Sequence, residues 1–174
     1  MTLRDDIIYS PEPEAVGPLA TAFARMMFAH ARFEGEVRLL QDAIVNERGF
    51  AEDPDNQLRD ARKRPKKMAK LIKKKLGDIA ETPDIVRWLK LAIEPCDRRN
   101  DLAHGEWMKF DQSTNTVTVR TGARRRADSM YRKFDEGAIA RLAVAFNGIR
   151  TELSKLRRAV QKHHVRPFPE SVET

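Results

Sequence analysis

Leu19, Phe23, Met26, Met27, Phe33, Val37, Leu40 and Ile44 recur at three- and four-residue steps. That spacing predicts a helix over about 18–47 with one apolar stripe. His30 lies beside the stripe and reads as a packed, hydrogen-bonded core histidine. "GFAEDPDN" breaks the period with Gly, Pro and Asx residues and reads as a loop. A basic helix should follow, divided at Pro65 and burying Met68, Leu71, Ile72 and Leu76, with Gly77 as its stop. A third main helix is announced by Thr82 as cap, Pro83 in the first turn and Asp84 against the dipole. It buries Ile85, Leu89 and Ile93, is kinked or restarted by Pro95, and stops at Gly105. The period then shortens. Val117 and Val119 alternate with Thr116, Thr118 and Arg120, so "EWMKFDQSTNTVTVRTG" reads as a β-hairpin turning at "DQSTN". In the last helix, capped by Asp135, Ile139, Leu142, Phe146, Ile149, Leu153, Leu156 and Val160 step by three and four. Such a seam packs lengthwise on neighbouring helices. The expected fold is all-α, an antiparallel helical bundle with a small hairpin inserted after the third main helix.

At 174 residues the chain suits a single domain, 1–174, with 1–16 and 165–174 as loose tails. The one cysteine, Cys96, leaves no disulfide framework and no zinc-ligand pair. His163 and His164 read as exposed tail residues and a weak metal signal. No apolar run approaches the ~20 residues of a membrane span, and the acidic start "MTLRDDIIYSPEPE" lacks a signal-peptide core. A cytoplasmic protein is expected, with no metal and no cofactor.

Charge is distributed unevenly. The total is +7, yet residues 1–58 hold five Lys/Arg against eleven Asp/Glu. Two segments carry the excess. "RDARKRPKKMAKLIKKK" (59–75) has ten basic residues and one acid, and "RTGARRRADSMYRK" (120–133) has six and one. Clusters of this density suit a polyanion, whose counterions Lys and Arg displace. The nucleic-acid-binding candidates are Arg62, Lys63, Arg64, Lys66, Lys67, Lys70, Arg124, Arg125 and Arg126. A solvated helix face is the alternative.

The chemistry concentrates in "CDRRNDLAHGEW", residues 96–107. Asn100 and His104 are one helical turn apart, whereas Arg99 is about 140° round from His104 at ~3.6 residues per turn. One such ridge makes a poor catalytic centre. Two, related by a dyad, would set two imidazoles and two guanidiniums around one cleft, so a homodimer is expected. The structural alternative pairs Arg99 with Asp101 or Asp97 and lets His104 donate to the last helix carbonyls. Trp107 reads as a core or interface anchor, Arg98 as solvated, and Glu34 and Glu36 as candidate braces for the motif's arginine.

"RNDLAH" resembles the Arg–x4–6–His signature of the HEPN superfamily, all-helical bundles that carry this motif on a late core helix; Asn100 matches the polar residue common after the arginine, and Gly105 and Trp107 resemble many members. The specific likeness covers about ten residues, and the helical layout a looser one. The inserted hairpin and Pro95 depart from the pattern. What the resemblance implies is metal-independent endoribonuclease activity at a composite dimer site, often in toxin–antitoxin or defence systems. Arg99, Asn100 and His104 would be catalytic, RNA the substrate and an antitoxin-like protein a possible partner. Binding of RNA, a nucleotide or a protein partner without cleavage is the competing reading.

Overall fold

The computed structural model describes residues 13–45, 60–121 and 130–164. They form α1 (Pro13–Val45), α2 (Arg64–Leu76), α3 (Thr82–Leu91), α4 (Ile93–His104), β1 (Glu106–Asp111), β2 (Thr116–Thr121), β3 (Met130–Asp135) and α5 (Glu136–Lys162). The protein is mostly helical, with a small antiparallel sheet in the order β1-β2-β3. No helix among the described residues is long and apolar enough to cross a membrane. The "GFAEDPDN" loop and the expected C-terminal tail lie outside the described residues.

The chain divides into two compact units, residues 1–30 with 95–145 and residues 31–94 with 146–174. In the second unit, α1 contributes Phe33, Val37, Leu40 and Ile44, α2 Met68 and Ile72, α3 Ile85 and Leu89, and α5 Phe146, Ile149, Leu153 and Val160, all buried. Each such side chain contributes roughly 1.5–3 kcal/mol of transfer free energy. Leu156, expected in the α5 seam, is only half-buried.

Proline placement differs from the sequence expectation in a consistent way. α2 is not divided at Pro65: the helix begins at Arg64, and Pro65 occupies its first turn, where a missing N–H costs nothing. A turn bonded to the Asp60 carbonyl precedes it. α1 begins at Pro13, inside the stretch expected to be loose, and accommodates Pro18 in its early turns. The break between α3 and α4 falls at Ala92, three residues before Pro95. That is where a proline acts, because its ring clashes with the carbonyl four residues back, here Leu91. Thr82 does not cap α3. The cap position is Glu81, without a side-chain cap bond, and Thr82 Oγ1 is buried with no hydrogen-bond partner. Gly77 stops α2 as expected, with φ 76° and its N–H on the Lys73 carbonyl.

The C-terminal histidines are not tail residues. His163 Nε2 meets Glu81 Oε2 at 2.9 Å, and His164 Nε2 donates to the Ala43 carbonyl at 2.7 Å. They fix the end of α5 within the second unit.

In the first unit the hairpin appears where the alternation placed it, but as part of three strands. Its turn is closed by Asp111, whose Oδ1 accepts from the Ser113 N–H (3.0 Å), the Ser113 hydroxyl (2.7 Å) and the Thr114 N–H (3.4 Å). Asn115 completes it at φ 47°, a left-handed conformation asparagine tolerates. Val117, Val119, Thr121 and Phe134 are the buried face of the sheet. Asp135 ends β3 and its carboxylate accepts the Ala138 N–H, so one residue closes the sheet and caps α5.

Candidate functional site

α4 carries the RNDLAH stretch into β1. Leu102 and Cys96 are buried along its inner face, which leaves Asn100 and His104 exposed and Arg99 half-buried. Two contacts seat the helix. Trp107 Nε1 donates to the Leu102 carbonyl (2.9 Å), while its ring meets Phe23 of α1 edge-on, centroids 5.8 Å apart. Asp101 reaches β3 and pairs with Arg132 at 2.9 Å. Trp107 is thus an anchor, though 41% of it remains exposed.

Gly105 is required here by proximity. A Cβ at this position would lie 2.3 Å from the Asp101 carbonyl oxygen, 2.3 Å from Val119 Cγ1 and 3.0 Å from the Arg120 carbonyl oxygen. No side chain fits between the end of α4 and β2. The glycine ends the helix, its N–H on the Asp101 carbonyl at 2.8 Å, and lets the sheet approach immediately after His104.

Within the motif, Arg99 Nη1 donates to Asn100 Oδ1 at 3.0 Å. Arg99 Nε is buried and has no hydrogen-bond partner among the described residues. Of the two carboxylates offered by sequence proximity, Asp101 holds Arg132, and no ion pair joins Asp97 to Arg99 among the described residues. The imidazole of His104, the last residue of α4, makes no hydrogen bond among the described residues. The helix-surface pairing of Arg99 with Asp101, and His104 capping the last carbonyls, are therefore not what the fold contains. Neither the Arg99 guanidinium nor the His104 imidazole is paired with a carboxylate among the described residues; Asn100 is bonded to the former and one turn from the latter.

Arg150 Nε is likewise buried without a hydrogen-bond partner among the described residues, whereas four arginines hold carboxylates. Arg64, expected on an exposed nucleic-acid surface, is 2% exposed; its Nη2 donates to both oxygens of Glu34 (3.0 and 2.8 Å) and its guanidinium lies 5.6 Å from the Phe33 ring centroid. It belongs to the core of its unit and is withdrawn from the basic surface. Glu36 pairs with Arg157 at 2.6 Å. Neither acid expected to brace the motif's arginine has Arg99 as its ion-pair partner.

Of the remaining basic candidates, Arg62, Lys63, Lys66 and Lys70 are exposed and Lys67 is half-buried. Lys63 is 3.3 Å from Asp60. Asp60's carboxyl is held below the ordinary aspartate value, chiefly by the Arg62 N–H, with burial opposing and the Lys63 ammonium assisting. Arg124, Arg125 and Arg126 lie outside the described residues. The three described bases of the second basic cluster have separate surroundings. Arg120 pairs with Glu106, Arg132 with Asp101, and Lys133 is exposed on β3. Sequence reasoning missed the Asp101–Arg132 contact because β3 itself was not foreseen. Comparison with protein-family models, curated proteins and solved structures finds no match to this chain.

Proposed function

We propose that the chain is a HEPN-type metal-independent endoribonuclease, a helical bundle acting as a homodimer in which Arg99, Asn100 and His104 of both protomers line one cleft. The observation that supports this reading is the state of Arg99. Arg64, Arg120, Arg132 and Arg157 each hold a carboxylate, whereas Arg99 holds only the neutral amide of Asn100 among the described residues. An arginine left without an anion keeps its charge and its planar fork for a phosphate.

The chemistry needs no other group. A neutral imidazole takes the proton from a ribose 2′-OH, and that oxygen attacks the adjacent phosphorus. The imidazolium of the second protomer protonates the departing 5′ oxygen, leaving a 2′,3′-cyclic phosphate. Arg99 offsets charge growing on the phosphoryl oxygens, and Asn100 holds the guanidinium in place. A cytoplasmic toxin or defence ribonuclease, silenced by an antitoxin-like partner, is the setting this activity suits. A second reading, RNA binding without cleavage, draws on α2, where Lys66, Lys70, Lys73, Lys74 and Lys75 are exposed around buried Met68 and Ile72.

Labelled RNA incubated in excess EDTA tests the proposal. Wild type should cleave RNA and leave DNA of the same sequence intact, and Arg99→Ala should lose roughly 10²–10³ in rate. Binding with no cleavage at any pH between 5 and 9 would leave the second reading.

A further inference from the structure

α1 is apolar on two sides. One side holds Met26, Phe33 and Leu40, all buried. On the opposite side Ala20, Ala24, Phe28, Ala31, Gly35 and Leu39 are exposed. These six recur at steps of four, four, three, four and four residues. At ~3.6 residues per turn they form one stripe about 100° wide. A helix face turned to water is ordinarily charged or polar. This one leaves Phe28 73% and Leu39 49% exposed. Arg32 and Arg38 lie at the edges of the stripe, where their long side chains reach water from either flank. α5, the other long helix, intersperses Arg141, Lys155 and Arg158 with its exposed Val144.

Nothing among the described residues of a single chain calls for Gly35. Glycine weakens a helix interior relative to alanine, yet a Cβ added at Gly35 meets nothing within 4 Å. A hole at this position serves a neighbour packed against the stripe, and the stripe carries its own complement. Take two antiparallel copies of α1 with a two-fold axis midway between Ala31 and Arg32. Phe28 of each copy then stands over Gly35 of the other, and Leu39 over Ala24. Both large residues meet small ones, and each contact occurs twice. The same register brings Arg25 within one turn of Asp42 of the second copy, on the N-terminal side toward which a helical side chain leans. Within their own chain, Arg25 and Asp42 have no ion-pair partner among the described residues.

We propose that the exposed stripe of α1 is a self-association surface, covered by the same stripe of a second copy in antiparallel register. The ribonuclease reading calls for a dimer but names no face for it. The pairing rests on α1 alone and does not involve Arg99, Asn100 or His104. From Ala20 to Leu39 the stripe runs ~29 Å at ~1.5 Å per residue, and at a helix width of ~10 Å its footprint is about 290 Å². A standard interface covers ~800 Å² per partner, so the expected dimer is a weak one that dissociates at micromolar concentrations.

The test is sedimentation velocity of the full chain between about 1 and 200 µM. Wild type should pass from monomer to dimer across this range. Phe28→Ala should weaken the dimer roughly 30- to 700-fold, because the ring is lost twice per dimer. Gly35→Ala separates the interface from the fold. Its methyl should raise the urea midpoint of the monomer by about 0.2–0.5 M while weakening the dimer roughly tenfold or more. Arg25→Asp should also weaken the dimer, and adding Asp42→Arg should restore it. Circular dichroism confirms that each variant is folded. A wild type still monomeric at about 200 µM leaves the stripe to a different protein and overturns self-pairing. A dimer unmoved by both Phe28→Ala and Gly35→Ala overturns it too, as does a charge-reversed chain that associates no more tightly than Arg25→Asp. If such an unmoved dimer cuts RNA, the ribonuclease reading stands and this pairing falls. If a stripe-dependent dimer never cuts RNA, the reverse holds.

Discussion

Replacing Gly105 by alanine should destabilise the protein, although glycine-to-alanine changes at unstrained positions usually stabilise by about 0.4–1 kcal/mol through the unfolded chain. The sign is decided by geometry. The added methyl would stand 2.3 Å from both the Asp101 carbonyl oxygen and Val119 Cγ1, with the Arg120 carbonyl oxygen at 3.0 Å. Normal contact for such pairs is about 3.5–4.0 Å, so the end of α4 and β2 must separate by more than an ångström. Overpacking of this kind costs about 1–3 kcal/mol, and parting them weakens the Asp101–Arg132 pair as well. Against the entropy gain, a net loss of about 1–2 kcal/mol is expected. At ~2 kcal/mol per M of urea this moves the unfolding midpoint down by about 0.5–1 M. Two of the obstructing atoms are backbone, so trimming Val119 gives only partial relief: Gly105→Ala/Val119→Ala should remain less stable than Val119→Ala alone. A Gly105→Ala protein as stable as the parent, or rescue by the Val119 change, would refute the close-approach account.

Removing Glu34 should cost more than removing its partner. Glu34→Ala leaves the Arg64 guanidinium, 2% exposed, without its bidentate carboxylate, a loss of about 2–3 kcal/mol after allowance for Glu34's own 35% exposure. Arg64→Met should stay within about 1 kcal/mol, because it fills similar space and leaves an acid that can reach water; equal urea midpoints for the two would contradict this. Asp111's carboxyl is held below the ordinary aspartate range, first by the Ser113 hydroxyl, with burial opposing and the Ser113 and Thr114 N–H groups assisting. A folded-state pKa lower than the unfolded one contributes stability that is complete above the unfolded value and lost as pH falls through the folded one. The hairpin turn should therefore loosen below about pH 4, and Ser113→Ala should raise the Asp111 titration seen by carbon-detected NMR; an unmoved titration would remove the hydroxyl as its main cause.

How much of this was legible follows from the range of each interaction. The two longest helices announce themselves because α1 and α5 repeat buried residues at three- and four-step spacing, a local signal that no distant contact has to complete. The hairpin is equally local, since Val117 and Val119 alternate with hydroxyl residues around an Asp/Asn turn. β3 is different. "MYRKFD" buries only Phe134, so its alternation is lost in what reads as a charged run, and its hydrogen-bond partner β2 is separated from it by "GARRRADS". Arg64 shows the same limit: its neighbours are basic, and the carboxylate that makes it a core residue is thirty positions away. Thr82 has the expected residue type without the expected role, since it makes no cap bond. Gly105 stops α4 as expected, but its close fit against Val119 and the Arg120 carbonyl exists only once the sheet has folded onto the helix end. For the candidate site, the spacing of Arg99, Asn100 and His104 was readable. That Arg99 lacks a carboxylate was not, because it depends on Asp101 turning to Arg132.

The most direct measurement is end-group analysis of RNA cut in excess EDTA by wild type and by His104→Ala. Transfer to the 2′-oxygen predicts 2′,3′-cyclic phosphate and 5′-hydroxyl ends from the wild type, and a rate lower by roughly 10²–10⁴ in the variant. Undiminished cleavage by folded His104→Ala, or 3′-hydroxyl ends from the wild type, would contradict an imidazole-driven attack by the ribose.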